Sequence, residues 1–148
     1  MFFHQLEIGM EFVGSGRTLT EADLSMACML STDWHPIHAD EVYARMHGLK
    51  GRLFHGTFGL FIAFGMATKL PHFSDEVVGA TGIREWTYRK PLFVGDTVHV
   101  KATIAGKRLT SDGRRAIIER SLALINQDGV VIQDGIAGAM IRLAERSG

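Results

Sequence analysis

The stretch from Gly56 to Leu70 constrains the fold most strongly, because it is apolar on nearly every side. Its only polar residues are Thr57, Thr68 and Lys69. A helix that is hydrophobic all round is buried, either inside a protein or in a membrane. This stretch is shorter than the roughly 20 apolar residues that a membrane span needs. The sequence therefore predicts a long central helix buried inside a globular protein.

Glycines inside apolar segments predict where other parts of the chain come close. Gly59 and Gly65 lower the helix propensity of the central helix, so we expect another backbone to approach it there. Gly135 and Gly138 interrupt the last apolar run of the chain, and they predict a bulge or bend in a strand.

After the central helix, the hydrophobic period changes to that of β-strands. Between residues 98 and 104, apolar and polar side chains alternate, which is typical of a half-buried strand. The same reasoning predicts strands at 80–90, 115–126 and 130–143, with a tight hairpin at Asp128 and Gly129. Because these strands follow the helices instead of alternating with them, the sequence predicts an α+β fold.

The region before the central helix contains two shorter predicted helices. Thr20 and Asp23 have the spacing of a capping box, and they predict a helix that runs to Ser31. A second helix is predicted from Asp40 to His47, with Asp40 as its N-terminal acid. The segment between the two helices begins at Asp33, so the first helix delivers this carboxylate to a loop.

That loop carries the residues that suggest chemistry. Pro36 has a fixed φ and disfavours helical geometry at His35, so we expect Asp33 and His38 to lie on a bent loop. A bend can bring a carboxylate and an imidazole to one point, where they could move protons to and from a water or a carbon acid. The alternative is purely structural, because Asp and Pro also form turns and a nearby His can cap a helix.

A family resemblance favours the chemical interpretation. The motif resembles the signature of the MaoC-like (R)-specific enoyl-CoA hydratases and acyl dehydratases in residue type and spacing. It reads Asp33-Trp34-His35-Pro36-Ile37-His38-Ala39-Asp40, followed by Gly51-Arg52-Leu53-Phe54-His55-Gly56. One residue departs from it, since the family usually has Asn where this chain has His35. The segment from Lys90 to Asp96 is also similar to the family, so the resemblance covers nearly the whole chain.

The resemblance implies a fold and an assembly. The chain would form a single hotdog domain over residues 1–148, with a curved antiparallel sheet wrapped around a long buried central helix. It would also form a homodimer or a higher homo-oligomer, because an unpaired sheet edge is left to pair.

The resemblance also implies a reaction and roles for five residues. Asp33 would hold and deprotonate the water that attacks Cβ of a trans-2-enoyl thioester, and His38 would bind the same water and help deliver a proton to Cα. The N–H of Gly56 would donate to the thioester oxygen. His35 and His55 are expected at the substrate, although a structural role, or a place in the wall of the substrate channel, is favoured for His55. No cofactor is implied beyond CoA as the carrier of the substrate.

Three other functions remain open. A hotdog thioesterase would favour a catalytic acid on the central helix, and residues 56–70 contain none. A metal site could use Asp33, His35, His38 and His55, which are suitable ligand types. Because no recognised metal-binding spacing accompanies them, we expect no metal. A non-catalytic acyl-CoA-binding protein is the third alternative.

Charge and cysteine content narrow the partners and the compartment. The 16 basic and 16 acidic residues cancel, and no basic run predicts binding to nucleic acid. The single cysteine, Cys28, excludes a disulfide within the chain and is expected to be buried. The first residues lack the features of a signal peptide. We therefore expect a cytoplasmic protein without a membrane partner, and the sequence does not distinguish CoA from acyl-carrier-protein substrates.

Overall fold

The computed structural model describes residues 1–73 and 75–144. A short 3₁₀ turn spans Phe3–Gln5. The helices are α1 (Glu21–Ser31), α2 (Pro36–Ala39), α3 (Glu41–Met46) and α4 (Gly56–Ala67). The strands are β1 (Glu11–Val13), β2 (Arg17–Thr18), β3 (Glu76–Tyr88), β4 (Thr97–Leu109), β5 (Arg115–Ile125) and β6 (Val131–Arg142). None of the helices within these ranges is both long and apolar enough to cross a membrane.

The strands form one antiparallel sheet in the order β1-β4-β5-β6-β3, with β2 added beside β4. The predicted α+β class and the four long strands after the central helix are confirmed. The Asp128–Gly129 turn is also confirmed, with Gly129 at φ 73°. Strand β3 lies at one edge, so within the described chain only one side of it is paired.

Helix α4 packs on one face of this sheet, through side chains that alternate along the strands. Strands β4 and β5 present a continuous apolar row to it, which includes Val98, Val100, Ala102, Leu122 and Leu124. Ile62 and Ala63 of α4 are buried against this row. The sheet around a central helix is thus the arrangement expected of a hotdog fold.

One face of α4 is open, which differs from the expectation that the helix is buried all round. The Phe61 side chain is 72% exposed, and Gly65 is exposed as well. Phe61 and Ile83 of β3 line the same groove, which has a volume of about 760 Å³. The prediction of burial on every side is therefore wrong for this face, because the sheet covers only one side of the helix.

The two glycines of α4 have different surroundings. A Cβ on Gly59 would lie 2.3 Å from Nε2 of Gln133, so the expected close approach is real but comes from a side chain. A Cβ on Gly65 would meet nothing within 4 Å, so the expectation is wrong at that position.

The glycines of β6 accommodate irregularities in its neighbour. Over the described residues, the register between β3 and β6 shifts three times, and two of these shifts, between Ala80 and Gly82 and between Arg84 and Thr87, lie opposite glycines of β6. Gly138 faces Thr81 at the first of these two shifts, and Gly135 faces the backbone of Trp86 at the second, where a Cβ would lie 2.8 Å from the Trp86 Cα. The predicted bulge is therefore confirmed in place, although the extra residues lie in β3.

Candidate active site

Helix α1 ends in a tight turn that presents Asp33. Thr20 accepts a hydrogen bond from the Asp23 N–H and completes the predicted capping box. Thr32 has φ 61°, a left-handed conformation that is uncommon for a β-branched residue. The chain reverses there, and the Asp33 side chain is left half exposed. Oδ1 of Asp33 accepts a hydrogen bond of 3.1 Å from the His35 N–H.

His38 lies on the one-turn helix α2, and not on the bent loop that the sequence predicted. Pro36 occupies the first helical position, where its missing N–H costs nothing. The side chain of His35 caps this helix, because its Nδ1 accepts a hydrogen bond of 3.2 Å from the Ile37 N–H. An Asn side chain is a favoured cap for the same reason, so His35 takes over a role that the family's usual Asn could perform.

The structure brings three of the predicted site residues together. The His38 and His55 rings stack with their centroids 3.8 Å apart. Oδ2 of Asp33 lies 3.6 Å from Nε2 of His38 and 3.8 Å from Nε2 of His55. His55 is 5% exposed, and its Nε2 lies 2.9 Å from the backbone oxygen of Asp33.

The hydrogen-bond partners fix the tautomers of both rings. Nδ1 of His38 lies 2.5 Å from the Leu53 carbonyl oxygen, which can only accept, so this nitrogen carries the proton. Nε2 of His38 then presents a lone pair toward Asp33. In His55 the proton is on Nε2, which donates to the Asp33 carbonyl, and Nδ1 is buried without a partner in the described chain.

The surroundings of Asp33 and His38 favour the deprotonated form of each side chain. The His35 N–H, followed by the neighbouring imidazoles, lowers the pKa of Asp33 below its ordinary value of 3.8. Burial lowers the pKa of His38 below 6.5, more than the Leu53 carbonyl and Asp33 raise it. At neutral pH the site therefore offers two acceptors, a carboxylate oxygen and a bare nitrogen, that can share the hydrogens of one water.

The same three residues are also the candidate metal ligands. One ligand atom from each of Asp33, His38 and His55 lies within 4.8 Å of the others. To bind a metal through Nε2, His55 would have to carry its proton on Nδ1 instead, and within residues 1–73 and 75–144 that buried atom has no hydrogen-bond partner. His35 is outside this group because its Nδ1 caps α2. The absence of a metal stays a prediction.

Gly56 is the first residue of α4, directly after His55. Its N–H points out of the helix start, and it has no hydrogen-bond acceptor within residues 1–73 and 75–144. A helix N-terminus favours negative charge. A Cβ here would lie 2.9 Å from the Tyr88 ring, so glycine leaves room for that ring. The Gly56 N–H is thus available to an anionic oxygen, as the motif implies.

The sequence did not predict two hydrogen bonds of Gln133, one of which is to Gly56. The Gly56 carbonyl accepts a hydrogen bond of 2.9 Å from Nε2 of Gln133, and Oε1 of Gln133 accepts one of 3.0 Å from Nε1 of Trp86. The only sequence signal was a polar residue in phase with the inward positions of the last strand. Cys28 is buried as expected, and its pKa is raised by burial, so it is a poor nucleophile.

The fold has the arrangement of a hotdog protein, and comparison with known families identifies the family to which the chain belongs. The family described as the MaoC like domain matches residues 4–122 of this chain. The chain therefore belongs to the MaoC-like domain family.

Two relatives indicate how closely the chain matches proteins of known activity. An (R)-specific enoyl-CoA hydratase from Rhodospirillum rubrum is 29% identical over 107 residues, which are 71% of this chain and 70% of that protein. A mesaconyl-CoA hydratase from Cereibacter sphaeroides is 24% identical over 126 residues, or 85% of this chain. The present chain spans only 36% of the length of that second relative.

Solved structures confirm the fold. A monoamine oxidase regulatory protein from Archaeoglobus fulgidus superposes with a TM-score of 0.87 at 26% identity, over 97% of this chain and 95% of that one. A Mycobacterium tuberculosis protein with a double hotdog fold matches at 20% identity with a TM-score of 0.84. The match covers all of this chain and 46% of the other chain. At this low identity it supports the hotdog fold alone.

Proposed function

We propose that this protein is a hydro-lyase that adds water reversibly to a trans-2-enoyl thioester and gives a 3-hydroxyacyl thioester. The observation that carries the proposal is the 3.6 Å separation of Asp33 Oδ2 and His38 Nε2, two acceptors without a donor between them. A water molecule has two hydrogens to donate, so it fits this pair. The enoyl-CoA hydratase and mesaconyl-CoA hydratase among the relatives act on substrates of the same class.

In the proposed reaction His38 moves the proton, and Asp33 orients the water. The ordinary pKa of an imidazole is more than two units above that of a carboxyl group. The pKa values of His38 and Asp33 are both lowered here, so the imidazole is taken as the stronger base of the pair. The water oxygen attacks Cβ while one of its protons passes to Nε2 of His38. The imidazolium then returns a proton to Cα from the same side. This assignment amends the expectation that Asp33 removes the proton, while both residues keep the same water.

The negative charge that develops on the thioester oxygen needs a donor. The Gly56 N–H lies at the start of a buried helix and is free to serve as that donor. One such donor typically contributes about 10²–10³ in rate. The electron pair of the double bond moves to this oxygen during attack, and it returns to Cα when that carbon is protonated.

The experiment that tests this function follows the enoyl-thioester absorbance with a panel of trans-2-enoyl-CoA substrates. We expect the band to disappear, the (R)-3-hydroxyacyl product to form, and no thiol to be released. Rapid thiol release from saturated acyl-CoA, with the enoyl band unchanged, would establish the alternative thioesterase. Binding of acyl-CoA without either change would establish the non-catalytic alternative. Parallel assays with acyl-carrier-protein thioesters identify the carrier.

We also propose that two copies pair through the edge strand β3 and the open face of α4. Val77, Val78, Ile83 and Phe61 are large apolar side chains, and all are exposed in the isolated chain. An unpaired, apolar edge strand is a template for another strand. Burying it against a second copy would also cover the groove beside Phe61.

Light scattering at micromolar concentration tests this assembly, and the expected mass is twice that of the chain or a higher multiple. Ile83→Glu should shift the protein toward the monomer, because it places a charge in the proposed interface. Leu109→Glu is the matched control, since Leu109 is also exposed but lies at the end of β4, away from β3. A monomeric wild type would contradict the proposal.

A further inference from the structure

We propose that Gln133 is a positioning residue that fixes the Gly56 peptide for its work as an oxyanion donor, an inference that rests on the function proposed above. Gln133 lies on β6 and is 2% exposed. It is one of the few polar side chains that the sheet turns toward its core. A buried amide is costly unless its donor and acceptor are both bonded.

The two partners of Gln133 leave only one orientation for its amide. Nε1 of Trp86 can only donate, so it must meet Oε1 of Gln133, at 3.0 Å. The Gly56 carbonyl can only accept, so it must meet Nε2, at 2.9 Å. The amide therefore links the edge strand β3 to the first residue of α4, and rotating it would break both bonds.

The helix has a dedicated opening for this side chain. Gly59 lies one turn after Gly56, and a Cβ on it would come within 2.3–2.7 Å of three atoms of the Gln133 amide. Any larger residue at this position would displace Gln133. The contact with Gln133 therefore explains why residue 59 is a glycine. Burial of the helix alone would not require a glycine there.

The contact matters because Gly56 is both the proposed donor and a glycine. Its N–H and its carbonyl lie on either side of one Cα, at the end of the helix and without a side chain to restrain φ and ψ further. Oxyanion donors act only when they are preorganised, and small misplacements of a reacting group cost large factors in rate. By holding the carbonyl, Gln133 restrains the direction of the N–H. Tyr88 contacts the same Gly56 from β3, so the edge strand braces this residue twice.

The test separates the two bonds of the amide. In Gln133→Glu, an ionised carboxylate can still accept from Trp86 but cannot donate to the Gly56 carbonyl. Burial raises the pKa of this carboxyl, so the comparison is made over a pH range that extends into alkali. Where the carboxyl is ionised we expect kcat to fall by about 10- to 100-fold, with KM nearly unchanged. As the pH is lowered the carboxyl protonates and can donate again, so the ratio of variant kcat to wild-type kcat should rise.

Gln133→Met is the matched control, because it has a similar length and no donor at any pH. Its kcat should be reduced without any recovery in acid. Trp86→Phe keeps the donor to Gly56 and removes only the other bond, so we expect a smaller decrease. If the Glu variant does not fold, the comparison of Trp86→Phe with Gln133→Met replaces it. A folded Met variant with wild-type kcat, or equal and pH-independent losses in Glu and Met, would overturn the inference.

A second readout does not depend on activity. In ¹⁵N–¹H spectra the Gly56 amide resonance should show a pH-dependent displacement in Gln133→Glu that wild type and Gln133→Met lack, beyond any displacement that the nearby His38 causes in all three proteins. If wild type fails to hydrate any enoyl thioester while this resonance behaves as expected, the proposed function is wrong and the positioning contact stands. If hydration is observed and the resonance does not respond, the positioning role of Gln133 is wrong.

Discussion

At the scale of single residues, Asp33 and His38 decide whether the site works as a pair of water ligands. Asp33→Asn removes the charge but leaves an oxygen to accept from the His35 N–H. His38→Asn keeps a donor near the Nδ1 position, toward the Leu53 carbonyl, and removes the acceptor at Nε2. We expect each change to lower kcat for enoyl-CoA hydration by roughly 10²–10⁴. The double variant should be little worse than the worse single variant, because the two groups act as a unit.

The stability of the same variants separates chemistry from folding. Asp33 is half exposed, so its variant should unfold at nearly the wild-type temperature. His38 is buried, so its variant should lose some stability, and kcat is measured well below its unfolding temperature. His35→Asn is the control in the motif. Asn can accept from the Ile37 N–H, so kcat should stay close to wild type. Wild-type activity in both Asp33→Asn and His38→Asn would reduce the motif to a structural turn.

The protonation state of His38 makes a second prediction at this scale. Burial lowers its pKa below 6.5, so its neutral form persists as the pH falls through that value. If this form accepts the proton of water, kcat/KM should be constant around neutral pH and decline only at an acid pH below 6.5. The pH profile with a single enoyl-CoA checks this. An acid limb centred above 6.5 would mean that Asp33 stabilises the imidazolium and that His38 begins the reaction as an acid.

The sequence predicted which residues meet but not how the backbone brings them together. Asp33 and His38 were expected to meet because Pro36 lies between them, and His55 joined them through the resemblance to the family motif; ligand atoms of the three lie within 4.8 Å of one another. The left-handed turn at Thr32 has no sequence signal, since a β-branched residue rarely adopts it. Helix α2 could have been predicted, because Pro36 follows a residue that can cap. Gln133 was missed because Asp134 beside it is also polar, which hides the phase of the strand.

At the scale of elements, α4 offers a matched pair of glycines. Alanine is favoured over glycine in a helix by about 0.5–1 kcal/mol. In the Ile83→Glu background, which leaves the groove of α4 uncovered, Gly65→Ala adds a methyl group where nothing in the described chain lies within 4 Å, so it should raise the free energy of unfolding by that amount. Gly59→Ala adds the same methyl group against the Gln133 amide, so it should lower the free energy of unfolding and also lower kcat.

Urea denaturation of the two variants measures this difference directly, since the intrinsic helix preference is common to both. The opposite signs expected for Gly59 and Gly65 isolate the contact with Gln133 from the propensity of the helix. If Gly59→Ala were as stable and as active as Gly65→Ala, the Gln133 side chain would have to leave the helix at no cost. That result would contradict the close packing of the Gln133 amide against Gly59.

At the scale of the whole molecule, the sequence could predict that apolar surface needs cover but not what covers it. The alternation in residues 98–104 predicted the inner face of β4 because period and burial coincide there. The all-round apolar character of α4 indicated complete burial, but one side of it faces a groove in this chain. Composition indicates only that the apolar side chains need cover. A second copy of the chain would provide that cover as well as a second layer of the same chain.

The far end of the core contains a buried pair of basic residues that makes stability depend on pH. His72 is 2% exposed, donates from Nδ1 to the Leu70 carbonyl at 2.9 Å, and accepts at Nε2 from Arg120 at 2.9 Å. Arg120 is also buried, and it lies over the Phe73 ring at 5.2 Å. No carboxylate of residues 1–73 or 75–144 forms an ion pair with Arg120. A proton on His72 would therefore place two positive charges together in the core.

This pair predicts a loss of stability in acid whose sign follows from the pKa of His72. Burial, and then the charge of Arg120, lowers that pKa below 6.5, whereas the unfolded chain titrates near 6.5. Above 6.5 both states are neutral, and stability should not change. Below it the unfolded chain binds a proton that the folded chain refuses, so the free energy of unfolding should fall by up to about 1.4 kcal/mol per pH unit for this group. His72→Gln can still accept from Arg120 but cannot titrate, so it should flatten the slope that urea denaturation measures below pH 6.5, leaving the part due to His38. An unchanged slope in this variant would assign the acid sensitivity to other groups.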